Sequence, residues 1–158
     1  LIAKGPFHYE DLVRIPFVAR WPGNIPAGSE NDSLISLVDL APTFLAACDI
    51  PVPREMAGTD QTQVLCGRAQ PSRDHVLVEN RHDPDTVNLK TYIDNRYKLT
   101  VYYNHDYGEL YDLENDPREI TNLWDHPECR ELKQDLLLKL VHAEMGKEPL
   151  PMPRVASA

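Results

Sequence analysis

Short runs of β-branched and aromatic residues, separated by turn residues, fill positions 75–113 of the 158-residue chain. The four runs are HVLVEN, LKTYI, YKLTVYY and ELYDL, and the turns between the last three are DNR and NHDYG. Strands joined by such short turns pair with their chain neighbours in antiparallel order. This stretch therefore restricts the second half of the chain to a small four-stranded antiparallel sheet.

The alternation within YKLTVYY predicts which residues of that strand face the core. Leu99 and the other odd-numbered positions are apolar or aromatic, whereas Lys98 and Thr100 lie between them. Successive side chains of a strand point to opposite faces of the sheet. We expect the odd-numbered residues to be packed and Lys98, Thr100 and Tyr102 to lie on a wetter face.

A C-terminal helix is the candidate to cover the packed face. Between residues 127 and 144, Leu132, Leu136 and Leu140 recur every four positions, which is the spacing of an apolar helical stripe. Gly146 and Pro149 follow and predict the end of this helix.

Before residue 51 the pattern predicts one strand and one buried helix. The apolar-rich run LVRIPFVARW, residues 12–21, has the composition of an edge strand. In the next segment, Asp39 is a plausible N-cap, and Leu40, Phe44 and Cys48 recur at helical spacing. We expect that stripe to be buried.

Charge and apolar content exclude two classes of partner. The net charge of −9 and the absence of a run of Lys or Arg disfavour nucleic-acid binding. The apolar runs are a few residues long, which is far short of the ~20 residues that a membrane-spanning helix needs. The chain is expected to be soluble, and the sequence does not separate a cytoplasmic from a periplasmic location.

Local motifs do not form a self-contained catalytic or metal site. The acids Asp112, Glu114 and Asp116 lack the glycine and the glutamate that complete a calcium loop, so we interpret their region as a turn, with Asn122 stabilising the loop that follows. The 6 histidines and 3 cysteines lack zinc-ligand spacing, and there is no phosphate-binding glycine motif. Metal ligands are therefore not expected within this chain.

Three blocks of the sequence, taken in order, resemble a known family. The blocks are KGPFHYEDLVRIPFVARWPGNIPAG, SLVDLAPTFLAACDIPVP and GELYDLENDPREITNLW. Together they resemble the C-terminal third of the sulfatases, the formylglycine-dependent enzymes of the alkaline-phosphatase superfamily. The resemblance implies an α+β arrangement in which residues 1–65 end an α/β catalytic domain and residues 66–158 form a small subdomain of four antiparallel strands and a C-terminal helix.

The resemblance also implies an activity for the intact protein. Sulfatases hydrolyse sulfate esters with a formylglycine made from the cysteine of a CxPSR motif and with a divalent cation, usually calcium. The CxPSR motif does not occur here, because Cys66 lies five residues before Pro71 where the motif needs two, and the DHG-type motif that the family uses for the cation is absent from this sequence as well. The chain is thus expected to be a C-terminal fragment that is inactive alone, whose partners are the missing N-terminal catalytic domain and a sulfate-ester substrate, and which could self-associate.

One residue can be carried over from the family as a catalytic residue. Sulfatases have a lysine, followed four or five residues later by Tyr-Glu, that reaches the sulfate, and Lys4 precedes Tyr9 and Glu10 in this way. A lysine ammonium ordinarily stays charged at neutral pH and suits a tetrahedral anion. Tyr9 and Glu10 are expected to fix the turn that directs Lys4.

Three further residues are candidates for substrate contacts in the intact enzyme. His8 lies near Lys4 in the sequence, although a histidine between Phe7 and Tyr9 could equally be a packed structural residue. Arg81 and His82 belong to the segment NRHDPDTVN between two predicted strands. The resemblance implies that this segment varies with the substrate.

Two other functions remain open at this point. A phosphonate or phosphate-ester hydrolase of the same superfamily would share these three blocks. The chain could also be a stand-alone α+β interaction module descended from the end of a sulfatase. The sequence does not identify the substrate.

Overall fold

The computed structural model describes residues 5–83 and 87–147, apart from the side chains of residues 82 and 83. The described residues fall into two compact units. Residues 5–18, 74–83 and 87–142 form the first unit, and residues 19–73 with 143–147 form the second. The assignment of residues 1–65 and 66–158 to two sulfatase domains stays a prediction.

Four α-helices and four β-strands are described, together with 3₁₀ turns at Leu37–Asp39 and Pro127–Cys129. In chain order they are α1 (Glu10–Val13), α2 (Leu40–Ala47), α3 (Thr62–Leu65), β1 (His75–Asp83), β2 (Val87–Asp94), β3 (Tyr97–Tyr102), β4 (Gly108–Asp112) and α4 (Arg130–Gly146). Across 5–83 and 87–147, no helix has the length and hydropathy that crossing a bilayer requires.

The first unit contains the predicted antiparallel sheet. Its strands lie in the order β1-β2-β3-β4, and each pairs with its chain neighbour. The turn between β2 and β3 is stabilised by Asp94, whose Oδ1 accepts hydrogen bonds from the backbone of Arg96 at 3.0 Å and of Tyr97 at 2.8 Å. The four-stranded antiparallel sheet expected from the turns, and the α+β fold class that the resemblance implies, are confirmed.

One face of the sheet carries the apolar core and α4. Leu99 in β3 is fully buried, as is Leu136 of α4, and Leu140 one helical turn later is 5% exposed. Lys139 on the same helix reaches Asp94 of β2, with 3.5 Å between Nζ and Oδ2. Because Asp94 and Leu99 occupy the same face of the sheet by register, α4 covers the face predicted to be packed.

The opposite face is buried as well, and the prediction of a wetter face is wrong. Lys98 and Thr100 are each 1% exposed, and Thr91 is fully buried. The reason is that the Gly5–Glu10 segment contacts this face through hydrogen bonds to Thr91 and Lys98. A chain segment about 80 residues away in the sequence therefore excludes water from polar side chains.

The strand predicted over residues 12–21 does not form. The backbone of Leu12 and Val13 donates to Tyr9 O at 2.8 and 3.1 Å, which makes a single helical turn. Residues 14–21 have no strand pairing in the described structure. Pro16 removes one backbone donor from this run, and no partner strand lies beside it among the described residues.

In the second unit, Asp39 is a hub of backbone and side-chain contacts. It is fully buried and accepts from the backbone N–H groups of Ser36 at 2.9 Å and Thr59 at 2.8 Å. Arg73 adds a two-pronged ion pair through Nε at 3.1 Å and Nη2 at 2.5 Å. The predicted N-cap thus occupies its position before α2, but its carboxylate binds a distant arginine and loop.

The prediction that the apolar stripe of α2 is buried is wrong. The helix forms, but its buried residues are Pro42 and Thr43, whereas Phe44 is 64% exposed and Cys48 is exposed. Thr43 faces inward because its Oγ1 donates to Asp39 O at 2.6 Å and accepts from the backbone of Gln61 at 2.9 Å. Apolar spacing could not reveal that a hydroxyl would occupy the inner side.

The acidic segment after β4 is a hydrogen-bonded turn. Hydrogen bonding from Arg96 lowers the pKa of Asp112 to about 2. Asn122 accepts from the backbone of Leu110 and of Trp124, each at 3.0 Å, and donates to Gly108 O at 3.0 Å. The structural interpretation of Asn122 is confirmed.

Candidate functional site

The Gly5–Glu10 segment, which directly follows Lys4, lies along the polar face of the sheet. Asn80 Nδ2 of β1 donates to Pro6 O at 3.0 Å. His8 Nδ1 shares a hydrogen bond of 2.8 Å with Thr91 Oγ1 of β2. Glu10 Oε1 accepts from Lys98 Nζ of β3 at 2.8 Å. Every second residue of the segment is therefore bound to a different strand.

The imidazole of His8 is a buried, neutral group. The residue is 7% exposed, and Thr91 connects it by a further 2.8 Å hydrogen bond to Thr100 of β3. Burial, with a smaller contribution from the Lys98 ammonium, lowers the pKa of His8 to about 4. At neutral pH, His8 thus supplies hydrogen bonding without a positive charge.

Lys98 and two carboxylates form a buried ionic cluster beneath α1. Lys98 Nζ lies 2.8 Å from Glu10 Oε1 and 2.5 Å from Glu119 Oε1. The exposed fractions of the Lys98 and Glu119 side chains are 1% and 4%. Glu119 also accepts, through Oε2, the backbone N–H of Glu10 at 2.7 Å. The first residue of α1 is consequently held by both its side chain and its backbone.

Tyr9 binds the last strand of the sheet. Its hydroxyl donates to Glu109 Oε1 at 2.9 Å. Burial and the hydrogen bond to Glu109 raise the pKa of Tyr9 to about 12. Burial and the nearby Glu109 carboxylate likewise raise the pKa of Tyr102 and of Tyr111. These phenols stay neutral at physiological pH and act as hydrogen-bonding, packed side chains.

Two of the predicted site residues fall outside what the structure describes. Lys4 lies outside the described residues, and His82 is described only by its backbone within β1. Arg81 is described and exposed. It follows Asn80 in β1, so its side chain alternates to the face of the sheet opposite His8. The structure does not bring Arg81 and His8 together, and the contacts of all four residues with a substrate stay predictions.

Arg81 lines an open groove at the end of the sheet. The groove has a volume of about 410 Å³, and its lining includes Asn88, Lys90 and Tyr103. Lys90 is paired with Glu79, another lining residue, at 2.9 Å. Arginine, lysine, amide and phenol groups therefore surround this groove.

A cation site does not form from the described side chains. Among residues 5–83 and 87–147, no group of three or more His, Cys, Asp and Glu residues is arranged to hold a metal ion. Cys66 is 5% exposed and is a free cysteine within the last turn after α3. The described part of the chain thus does not fit a divalent cation.

Sequence reasoning missed the residues that hold the segment. The alternation of YKLTVYY places Lys98 and Thr100 on a wetter face of the sheet. Glu119 occurs only as part of the block GELYDLENDPREITNLW, which carries the family resemblance. One usable signal was present: Thr91 and Thr100 are opposite each other in the β2–β3 register, which pairs two polar residues. A row of polar residues between apolar strands can indicate a second buried layer as well as a wet face.

The arrangement positions a backbone segment, and it does not itself present a reactive centre. The Lys98 charge is directed at two carboxylates and away from solvent. The Nδ1 atom of the His8 imidazole is hydrogen-bonded to a threonine hydroxyl. What these contacts can do chemically is hold the Gly5–Glu10 segment on the sheet.

The chain is similar in sequence to known proteins. The profile of a family described as N-sulphoglucosamine sulphohydrolase, C-terminal, matches residues 4–146. An N-acetylglucosamine-6-O-sulfatase of Bacteroides thetaiotaomicron is 31% identical over 138 residues, which are 83% of this chain and 25% of that protein. The chain therefore spans about a quarter of the length of that relative.

Solved structures share the fold of this chain. The structure of BT4656 in complex with its substrate, D-glucosamine-2-N,6-O-disulfate, aligns with a TM-score of 0.76 and 27% identity, covering 82% of this chain and 28% of that one. A phosphonate monoester hydrolase from Silicibacter pomeroyi aligns with a TM-score of 0.72 at 19% identity, covering 82% and 28%. The second similarity is one of fold alone.

Proposed function

The chain belongs to the sulfatase family, as its C-terminal region, and on this premise we propose that the protein containing it hydrolyses sulfate esters. The observation that carries the proposal is the segment after Lys4, which is bound to three strands of the sheet. A segment held at Pro6, His8 and Glu10 suits a residue that must reach a reacting anion, because catalytic groups need fixed geometry.

Lys4 is proposed as the residue of this chain that contacts the sulfate. Its ammonium would stabilise the negative charge on the sulfate and on the departing ester oxygen. Glu10 and Tyr9 would orient the segment by binding Lys98 and Glu109. His8, Arg81 and His82 are proposed substrate contacts of the intact enzyme, with Arg81 acting from the groove it lines.

The nucleophile and the cation are proposed to come from other parts of the intact protein. In the intact protein, a formylglycine would supply the nucleophile and a divalent cation such as calcium would supply Lewis-acid chemistry. The described residues do not fit a cation, so we assign this chain no step that involves it. Its partners would be the N-terminal catalytic domain and the substrate.

A carbohydrate sulfate is the substrate class to test first. One relative, 31% identical over 83% of this chain, is an N-acetylglucosamine-6-O-sulfatase. The structural neighbour BT4656 was solved with a disulfated glucosamine. A groove lined by Arg81, Asn88 and Tyr103 offers hydrogen bonding and an aromatic surface of the kind that a sulfated sugar can use.

A phosphonate or phosphate ester is the second candidate substrate. The fold of this chain also matches a phosphonate monoester hydrolase. Both ester classes place a tetrahedral anion beside a lysine, so the contact with Lys4 does not separate them. A direct comparison of rates is needed.

The test measures the full-length protein on 4-nitrophenyl sulfate, N-acetylglucosamine 6-sulfate and 4-nitrophenyl phenylphosphonate. We expect kcat/KM to be highest for a sulfate ester and to fall about 100-fold or more in Lys4→Ala. Lys139→Ala is the matched control, since that lysine is 55% exposed and pairs with Asp94 on the other sheet face.

Other outcomes would change the conclusion. Faster turnover of the phosphonate would favour the second candidate, and no turnover of any ester would favour a binding module. The 158-residue chain alone is expected to release no nitrophenol, with or without calcium. Release by that chain would contradict the proposed location of the nucleophile.

A further inference from the structure

Lys98 is a buried cation without an evident role in the sheet itself. Its side chain is 1% exposed, although it lies on the face of β3 opposite to the apolar core that Leu99 faces. Removing an ammonium from water is costly unless opposite charges and hydrogen bonds replace the solvent. Here Glu10 supplies an opposite charge and a hydrogen bond at 2.8 Å, and Glu119 supplies a second opposite charge, with 2.5 Å between Lys98 Nζ and Glu119 Oε1.

The carboxylate of Glu119 contacts two groups at once, the Lys98 ammonium and the backbone N–H of Glu10. One carboxylate oxygen contacts Lys98 Nζ, and the other accepts the backbone N–H of Glu10 at 2.7 Å. Its φ angle is +56°, in the left-handed region that non-glycine residues seldom occupy. Such a conformation persists where surrounding contacts over-determine it, and it often accompanies a functional constraint.

The cluster connects elements that are far apart in the sequence. Glu10 and Lys98 are 88 positions apart, and Glu10 and Glu119 are 109 positions apart. Glu10 is the only one of the three that belongs to the segment following Lys4. The ionic cluster is therefore the attachment of that segment to β3, in addition to its hydrogen bonds with Asn80 and Thr91.

We propose that Lys98 and Glu119 are positioning residues for Lys4, which they hold in place through Glu10. This inference rests on the proposed function of Lys4. Neither residue touches the ester. Each acts by binding Glu10, which fixes the end of α1 from which the chain runs back through His8 and Pro6 to Gly5.

A double-mutant cycle in the full-length enzyme tests the proposal. The four proteins are wild type, Lys4→Ala, Lys98→Met and the double variant, assayed with 4-nitrophenyl sulfate. We expect Lys98→Met to lower kcat 10- to 100-fold with less than a threefold change in KM. In the Lys4→Ala background, the same substitution should lower kcat by less than twofold, because the group it positions is already absent.

Backbone exchange gives a readout that does not need activity. Amide hydrogen exchange at Glu10, Leu12 and Val13 is expected to be at least tenfold faster in Lys98→Met than in wild type, with a smaller change in β2. Lys139→Met is the control for loss of a lysine, and it should change neither kcat nor exchange in α1.

A milder variant keeps the test useful if Lys98→Met does not fold. Glu119→Gln preserves the size of the side chain and an acceptor for the Glu10 N–H, but it removes one of the two negative charges that face Lys98. It should lower kcat three- to tenfold, and again only when Lys4 is present.

Two results would overturn the inference. The first is an equal loss of kcat from Lys98→Met with and without Lys4, which a purely structural role predicts. The second is unchanged exchange in α1. If Lys4→Ala itself leaves kcat unchanged while exchange in α1 responds to Lys98→Met, the role of Lys4 fails and the attachment of the segment stands.

Discussion

Single buried polar side chains decide how the polar sheet face responds to its surroundings. His8 is neutral because burial and the neighbouring Lys98 charge lower its pKa to about 4. Protonation would put a second cation beside an ammonium that is already buried. The free energy of unfolding should therefore depend on the protonation of this one imidazole.

The stability of the chain is expected to fall in mild acid because of His8. Its pKa is about 4 in the fold and about 6.5 when unfolded. Between these values the unfolded state binds more protons, so the free energy of unfolding decreases as the pH falls from 6.5 to 4. From pH 7 to pH 5, the loss attributable to His8 should be about 2 kcal/mol.

Urea unfolding of wild type and His8→Gln at both pH values measures this loss. The variant should be less stable at pH 7 but should show the smaller decrease between pH 7 and pH 5. Identical decreases in the two proteins would contradict the assignment to His8.

Gly108 is the second residue whose identity is constrained by one close contact. A Cβ added there would collide with the Trp124 ring and would lie 2.6 Å from Thr100 O. Gly108→Ala should lower the free energy of unfolding by about 2 kcal/mol or more. Gly146→Ala is the matched control, because nothing lies within 4 Å of its added Cβ. Equal stability of the two variants in thermal unfolding would refute the steric argument.

At the scale of elements, α4 is held on the sheet by a narrow stripe of side chains. Leu136 and Leu140 are its buried residues, whereas Leu138 and Val141 are more than half exposed. Two of the three leucines of the predicted stripe, Leu136 and Leu140, are thus the buried residues of the helix. Two leucines of the same helix, two positions apart, experience opposite environments.

Truncation of these two leucines should have different consequences. Leu136→Ala removes a fully buried side chain, and we expect a loss of about 2–5 kcal/mol. Leu138→Ala affects a side chain that is 56% exposed, and its effect should stay within about 0.5 kcal/mol. Chemical denaturation monitored by tryptophan fluorescence measures both, and a costly Leu138→Ala would mean that this side of α4 is covered.

At the scale of the whole molecule, apolar side chains remain exposed in the second unit. Leu37 and Phe44 are 65% and 64% exposed, and Val38 and Ile50 are also at least half exposed. Exposed apolar groups of this kind commonly mark surfaces that contact another part of a protein or a second copy. The chain also spans only about a quarter of the length of a relative.

Self-association of the 158-residue chain is the expected consequence. Its weight-average mass in sedimentation velocity should rise with concentration above the monomer mass of 18.0 kDa. Phe44→Glu should reduce this rise, while Lys139→Glu, on the exposed side of α4, should not. A single monomeric species at all concentrations would contradict the prediction.

The sheet, α4 and the family could be predicted from local sequence patterns. Turn residues such as Asp94 to Arg96 specify a hairpin by short-range hydrogen bonds, and leucines four positions apart specify a helix. These signals depend on neighbours within a few residues. The strand at residues 12–21 and the direction of α2 failed because a strand needs a partner and a helix face needs a neighbour, and neither is visible locally.

The sequence by itself determined the order of the strands, the C-terminal helix and the sulfatase resemblance. Only the tertiary structure decided that Lys98 is buried, that His8 is neutral and that the segment after Lys4 is bound to the polar sheet face. The physical reason is distance along the chain: the partners of His8 and Lys98 lie 83 and 88 positions away. An ionisable side chain is solvated or buried according to what the folded chain brings next to it.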